Sequence, residues 1–152
     1  MSLTLSSSAF AQGKSIPEKY SCTGQNISPA LAWSGAPSNT ASYALIVEDP
    51  DAPSGTYVHW VIYNIPAISN GLQEAVAQTP TFDDGASQGS GGSGRQFYQG
   101  PCPPSGTHRY FFRLYALDAR LEIPPGATAA QLRQAMQGHV LAQTELMGTF
   151  SK

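Results

Sequence analysis

The residues of this chain best placed to do chemistry sit where loops meet strand-forming runs. Asp49 ends the run Ser42–Glu48 and opens the loop Asp49-Pro-Asp-Ala-Pro-Ser-Gly-Thr. His59 stands at the start of a second run, Val58–Ile65. His108 starts a third, His108–Leu117, after the proline-rich stretch Gly100-Pro-Cys-Pro-Pro-Ser-Gly-Thr. A carboxylate, two imidazoles and the Tyr110 hydroxyl suit three chemistries. The first is anion binding, in which imidazole N–H groups and Tyr110 donate to a phosphate or carboxylate. The second is a two-histidine, one-carboxylate metal site. The third is hydrolysis, with Cys102 or Ser105 as nucleophile and a histidine as base. Hydrolysis lacks support: there is no Gly-x-Ser-x-Gly elbow, and Cys102 lies between prolines rather than at a helix start. The metal site lacks a readable second shell. A single histidine here would read as a hydrogen-bonded residue at a core edge. Two of them at strand starts, with a carboxylate, favour a ligand pocket.

Strand periodicity positions these groups. Alternate residues share a face, so Asp49 continues the face of Tyr43, Leu45 and Val47. His59 falls with Val61, Tyr63 and Ile65, and His108 with Tyr110, Phe112 and Leu114; Arg109, Phe111, Arg113 and Tyr115 take the other side. The short connection Pro50–Tyr57 predicts an antiparallel pair, which brings Asp49 and His59 to one rim. His108 joins them if its strand runs parallel to the one that starts at His59, or antiparallel to the one that ends at Asp49. Weaker strands are expected at Leu3–Ser7, Ala30–Trp33 and His139–Phe150. One helix is expected, at about 129–137, with Thr128 as N-cap and Gly138 as its stop. Gln78–Gln99 contains Gly89-Ser-Gly-Gly-Ser-Gly94 but no Gly-Lys-Ser/Thr, so a flexible surface loop is expected rather than a phosphate cradle.

Composition narrows the partners. The chain has 152 residues, which suits a single domain over 1–152. Charged residues are 12% and the formal net charge is −2, with no basic cluster. Nucleic acid is therefore not an expected partner. No apolar run approaches the roughly 20 residues of a membrane-spanning helix. Ser8-Ala9-Phe10-Ala11-Gln12 has the look of a signal-peptidase site, yet Met1–Ser7 has neither a basic residue nor a long apolar run. A cytoplasmic protein is expected on that reading, or a periplasmic one if a leader has been removed. In a cytoplasmic setting Cys22 and Cys102 are expected as reduced thiols, with a disulfide between two loops as the alternative.

Two longer motifs carry a family resemblance. Asp49-Pro-Asp-Ala-Pro53 with His59-Trp60 and Asn64 resembles the first signature of the phosphatidylethanolamine-binding protein (PEBP) family. Gly100-Pro-Cys-Pro-Pro-Ser-Gly-Thr-His-Arg-Tyr110 with Leu114-Tyr-Ala-Leu-Asp118 resembles the second. Tyr20-Ser-Cys-Thr-Gly-Gln-Asn-Ile-Ser-Pro29 and Gly138-His-Val-Leu-Ala142 resemble its bacterial and archaeal Raf-kinase-inhibitor-like branch. The resemblance implies a mostly β protein: a sandwich of antiparallel sheets with a small anion-binding pocket at one end. It implies pocket residues Asp49, Ala52, Pro53, His59, Gly100, Cys102, Pro103, His108 and Tyr110, and a cis bond at Ala52–Pro53. It implies a non-catalytic protein, without cofactor or metal, that takes a small anionic ligand such as a phospholipid head group or phosphorylated compound. Inhibition or scaffolding of a kinase or protease is the alternative, and a homodimer is compatible with the branch. Many eukaryotic members carry a further C-terminal helix beside the pocket. This sequence stops at Lys152 without one, so a more open pocket and no kinase regulation are expected. Cys102 stands where several members have glycine, so a thiol, or a bridge to Cys22, is expected to narrow the pocket or make it redox-sensitive.

Overall fold

Strand Ser42–Asp49 is buried at all eight positions, because the sheet it centres is covered on both faces. A computed structural model describes residues 2–152. Its strands are β1 (Thr4–Ser6), β2 (Leu31–Ser34), β3 (Ser42–Asp49), β4 (Tyr57–Pro66), β5 (Gly71–Leu72), β6 (Ser87–Gln88), β7 (Thr107–Leu117) and β8 (Val140–Ser151). They form a small sheet, β1-β2-β5, and a large one, β6-β4-β3-β7-β8, in which neighbours pair antiparallel. Leu45, Val47, Phe112 and Leu114 face a core shared with Leu5, Leu31 and Trp33 of the small sheet. Ala44, Ile46, Val61 and Tyr63 face a second core beneath helix α1 (Ala129–Met136), whose Leu132 and Met136 fill it. With both faces apolar, hydrophilic side chains collect where the strands run out.

Helix α1 starts as its sequence dictates. Thr128 accepts from the Gln131 backbone N–H while the Gln131 side chain accepts from the Thr128 N–H, a reciprocal capping box. The chain leaves the helix through Gly138, whose φ of 83° suits glycine.

Two irregularities in β4 change which way its residues point. Val47 pairs with Trp60 but Glu48 pairs with Val58, so His59 is the extra residue of a β-bulge. Tyr43 pairs with Ile65 but Leu45 with Ile62, so a second bulge falls at Tyr63–Asn64, where Asn64 has φ 55°. Simple alternation put His59, Val61, Tyr63 and Ile65 on one face. The bulges divide them: Val61 and Tyr63 face the helix, whereas Ile65 faces the small sheet and His59 packs on Tyr110.

Gln78–Gln99 is a surface loop only in part. Ser87–Gln88 pairs with β4, and Gln88 is 1% exposed. Its side chain accepts from Trp60 Nε1 at 2.6 Å and donates to the carbonyls of Ala77 and Thr79 at 2.9 and 2.8 Å. Buried hydrogen bonds anchor a segment whose composition reads as flexible.

Asn64 is the part of this arrangement most exposed to a single change. Its amide donates to the Leu121 carbonyl at 2.9 Å and accepts from the Leu121 N–H at 2.8 Å. Asn64→Ala removes both bonds and puts alanine in a left-handed conformation. Each polar group left unpaired in the interior costs roughly 1–3 kcal/mol, so a loss of about 2–4 kcal/mol in unfolding free energy is expected. Urea unfolding measures it, and an unchanged midpoint contradicts this role.

Candidate functional site

Asp49 and His108 meet at the open end of the large sheet. They end β3 and begin β7, which are adjacent and antiparallel. His108 Nδ1 lies 2.6 Å from Asp49 Oδ2. A carboxylate only accepts, so Nδ1 carries the hydrogen and Nε2 is left for a ligand. The other oxygen, Oδ1, accepts from the Asp51 backbone N–H at 2.7 Å. Asp49 is thus fully used in holding a ring and a loop, and both residues are buried.

His59 completes a second edge. Its Nδ1 is 2.8 Å from the backbone carbonyl of Gln99. The ring packs edge-on against Tyr57 and Tyr110, with centroids 4.9 and 5.2 Å away. Burial holds its pKa below the ordinary histidine value; the Gln99 carbonyl and the Asp49 charge oppose this and do not overcome it. Tyr110 lies between the two histidines in the ring stack. Its hydroxyl is buried and has no hydrogen-bond partner among the described residues. Burial, then the Asp49 charge, pushes its pKa up, so it stays a phenol; the Cys102 backbone N–H works slightly the other way but does not reach hydrogen-bonding geometry.

These groups line a cavity of about 400 Å³. All nine residues expected at the pocket lie on its wall: Asp49, Ala52, Pro53, His59, Gly100, Cys102, Pro103, His108 and Tyr110. Asn26, Tyr57, Arg95 and Gln99 also line it and were not foreseen. Neutral polar side chains in loops leave no periodic signal, and Arg95 sits next to a glycine-rich run that reads as a linker. Ser105, considered as a nucleophile, is exposed and lies off the wall. No group of three His, Cys, Asp or Glu among the described residues is arranged to hold a metal ion.

Three fasteners hold the rim. Arg109 Nε and Nη2 each donate to Asp51 at 2.9 Å, and the Arg109 backbone N–H adds a third bond at 2.9 Å. That pair ties the loop after β3 to β7 and holds the Asp51 carboxyl at about 2. Asn26 Oδ1 accepts from the Gly100 N–H at 2.7 Å. A Cβ at Gly100 would stand 1.9 Å from the Tyr20 carbonyl oxygen, so only glycine fits. Cys22 and Cys102 form a disulfide, with Cα atoms 5.5 Å apart.

Two expectations are corrected here. The cysteines are bonded rather than reduced, because the 20–26 loop and the 98–102 strand-like segment run side by side; Cys102 is therefore no thiol nucleophile. The Ala52–Pro53 bond is trans, as are all peptide bonds among the described residues. Gly55 N–H bonds the Ala52 carbonyl at 3.1 Å, so Pro53 is the second residue of a four-residue turn, the position a trans proline fills.

Comparison with known proteins agrees with this architecture. The family model described as phosphatidylethanolamine-binding protein matches residues 6–151. A UPF0098 protein of Methanothermobacter thermautotrophicus is 50% identical over 99% of both chains. The Mycobacterium tuberculosis protein LppC, named as a lipoprotein, is 45% identical over 97% of this chain and 72% of its own. Among solved structures, the Chlamydia trachomatis PEBP homolog CT736 superposes with a TM-score of 0.92 at 43% identity, covering 99% of this chain and 98% of that one. Escherichia coli YbcL, described as a member of the mammalian PEBP family, gives 0.90 at 29% identity, covering 100% and 99%.

The rim generates two predictions. Denatured, unreduced protein should show no free thiol, and reduction should lower unfolding free energy by about 2–4 kcal/mol, given the 80-residue separation of the cysteines; an unchanged unfolding midpoint contradicts this. For His59, the unfolded chain takes up a proton first, near pH 6.5. Its contribution to stability is therefore complete above about pH 6.5 and is lost as pH falls through the lower folded value. Wild type should lose stability more steeply than His59→Gln on acidification, and parallel curves would contradict the assignment.

Proposed function

The chain belongs to the phosphatidylethanolamine-binding protein family, and on that premise we propose that it is a non-catalytic binding protein for a small phosphate- or carboxylate-like group. The observation that carries the reading is the pair of histidines on the wall of one cavity, each held by a protein acceptor at Nδ1 with Nε2 left unpartnered. His108 can donate from Nε2 with the Asp49 carboxylate behind it to compensate an imidazolium charge. Arg95 supplies a further cation on the wall. A phospholipid head group and a phosphorylated small molecule both present the required anion.

The disulfide favours an oxidising compartment over the cytoplasm. The lipoprotein name of the mycobacterial relative supports the same direction. No helix among the described residues is long and apolar enough to cross a membrane. Action as a kinase or protease inhibitor through the outer surface has no observation of its own here, and it would leave the pocket unused.

Phosphate titration by calorimetry tests the proposal. His108→Ala should weaken binding about tenfold or more, since a hydrogen bond to a charged group is worth about 1.5–3 kcal/mol. Undiminished affinity in a folded variant would refute the pocket assignment.

A further inference from the structure

We infer that His59 makes the pocket selective for an anion that brings its own proton, a phosphate retaining a P–OH group, over an anion of the same shape that has none. The inference rests on the anion-capture reading above and adds the identity of the anion to it.

The argument begins with the Gln99 carbonyl, 2.8 Å from His59 Nδ1. A carbonyl oxygen only accepts, so Nδ1 bears the hydrogen and the neutral ring presents a bare lone pair at Nε2. That atom has no protein partner, and it is not sealed off, since Tyr110 Oη is the one buried side-chain polar atom without a partner among the described residues. The bulge turns this ring onto the face of Tyr110 and wedges it between Tyr57 and Tyr110.

The pocket therefore presents unlike groups. His108, paired through Nδ1 with the Asp49 carboxylate, donates from Nε2 as an imidazolium, whereas neutral His59 is placed to accept. The charged and titratable neighbours are Asp49 from β3, His108 and Tyr110 from β7, Tyr57 from its own strand, and Arg95 from the 89–100 segment. Both Asp49 oxygens already accept a hydrogen bond, one from the Asp51 N–H and one from the His108 ring. An anion with only bare oxygens sets one of them against the His59 lone pair. Protonating His59 would relieve the conflict but would place a second cation in a buried wall, which burial disfavours. A P–OH group turns the same contact into a hydrogen bond. Phosphate monoesters carry that hydrogen below a second ionisation at about pH 6, and inorganic phosphate ionises about one unit higher. The phosphodiester of an intact phospholipid does not.

Calorimetry on the intact, disulfide-bonded chain tests this with inorganic phosphate against sulfate at about pH 6. Phosphate should bind about tenfold more tightly or better, tenfold being about 1.4 kcal/mol. In His59→Phe, which has no acceptor there, the phosphate-to-sulfate ratio should fall toward one. Equal binding of the two anions by wild type, or a ratio that survives His59→Phe, overturns the inference. Should that variant fail to fold, the wild-type ratio decides alone. Methyl phosphate and dimethyl phosphate separate the ligand sources. The monoester should follow phosphate and the diester should follow sulfate; a diester that binds as well as the monoester also overturns it. If no anion binds, anion capture itself fails and takes this inference with it. If all bind equally, capture stands and selectivity alone falls.

Discussion

The hydrogen bond between Asp49 and His108, 2.6 Å long at the end of two neighbouring strands, is the contact around which the functional end of this protein is organised. It exists because the large sheet is apolar on both faces. Strands β3 and β7 present apolar side chains to the core shared with the small sheet, and at the end of that face Asp49 and His108 meet. A carboxylate there needs a partner, since a buried charge without one is strongly disfavoured. His108 supplies the partner across the ladder, and the loop after β3 supplies the second bond through the Asp51 N–H. The ring that results has one nitrogen fixed and the other free. That is the difference between a histidine that fills space and one that can meet a ligand.

The remaining wall is brought to this pair by an ion pair, a hydrogen bond and a disulfide. Asp51–Arg109 ties the loop after β3 to β7, and Asn26–Gly100 and Cys22–Cys102 join loops that share no regular secondary structure. Gly100 allows the closest of these approaches. The consequence is a cavity whose shape depends on three separable ties while its chemistry depends on β3, β4 and β7. Loosening a tie should alter how the cavity closes without removing any donor or acceptor from it.

Much of this was readable beforehand. The main strands announced themselves through dense runs of β-branched and aromatic residues, and α1 through Thr128 and Gly138. Asp49 and His108 were placed correctly by strand alternation, because β3 and β7 pair without interruption over Ser42–Glu48 and Phe111–Leu117. His59 reached the expected rim by another route. Alternation assigned it to the face of Val61, which in the structure is the helix side, and only the bulge returns it to Tyr110. A bulge is decided by register against a partner strand, which one strand's residues do not reveal. The disulfide was missed for a different reason. Proximity of Cys22 and Cys102 is set by the long-range pairing of two loops, and reasoning from compartment pointed the other way. Gln88 and the pocket residues Asn26 and Gln99 likewise owe their roles to tertiary contacts, which polar composition in a loop does not foretell.

The central claim is that an anion sits between His59, His108 and Tyr110, and nitrogen NMR of the imidazole side chains during a phosphate titration tests it most directly. His139, just before β8 and bonded to Asp118 in a solvent-exposed pair, serves as an internal reference. The Nε2 resonances of His59 and His108 should shift together with one binding curve, while His139 stays put. Shifts confined to His139, or no saturable shift in the two pocket histidines, would contradict the account.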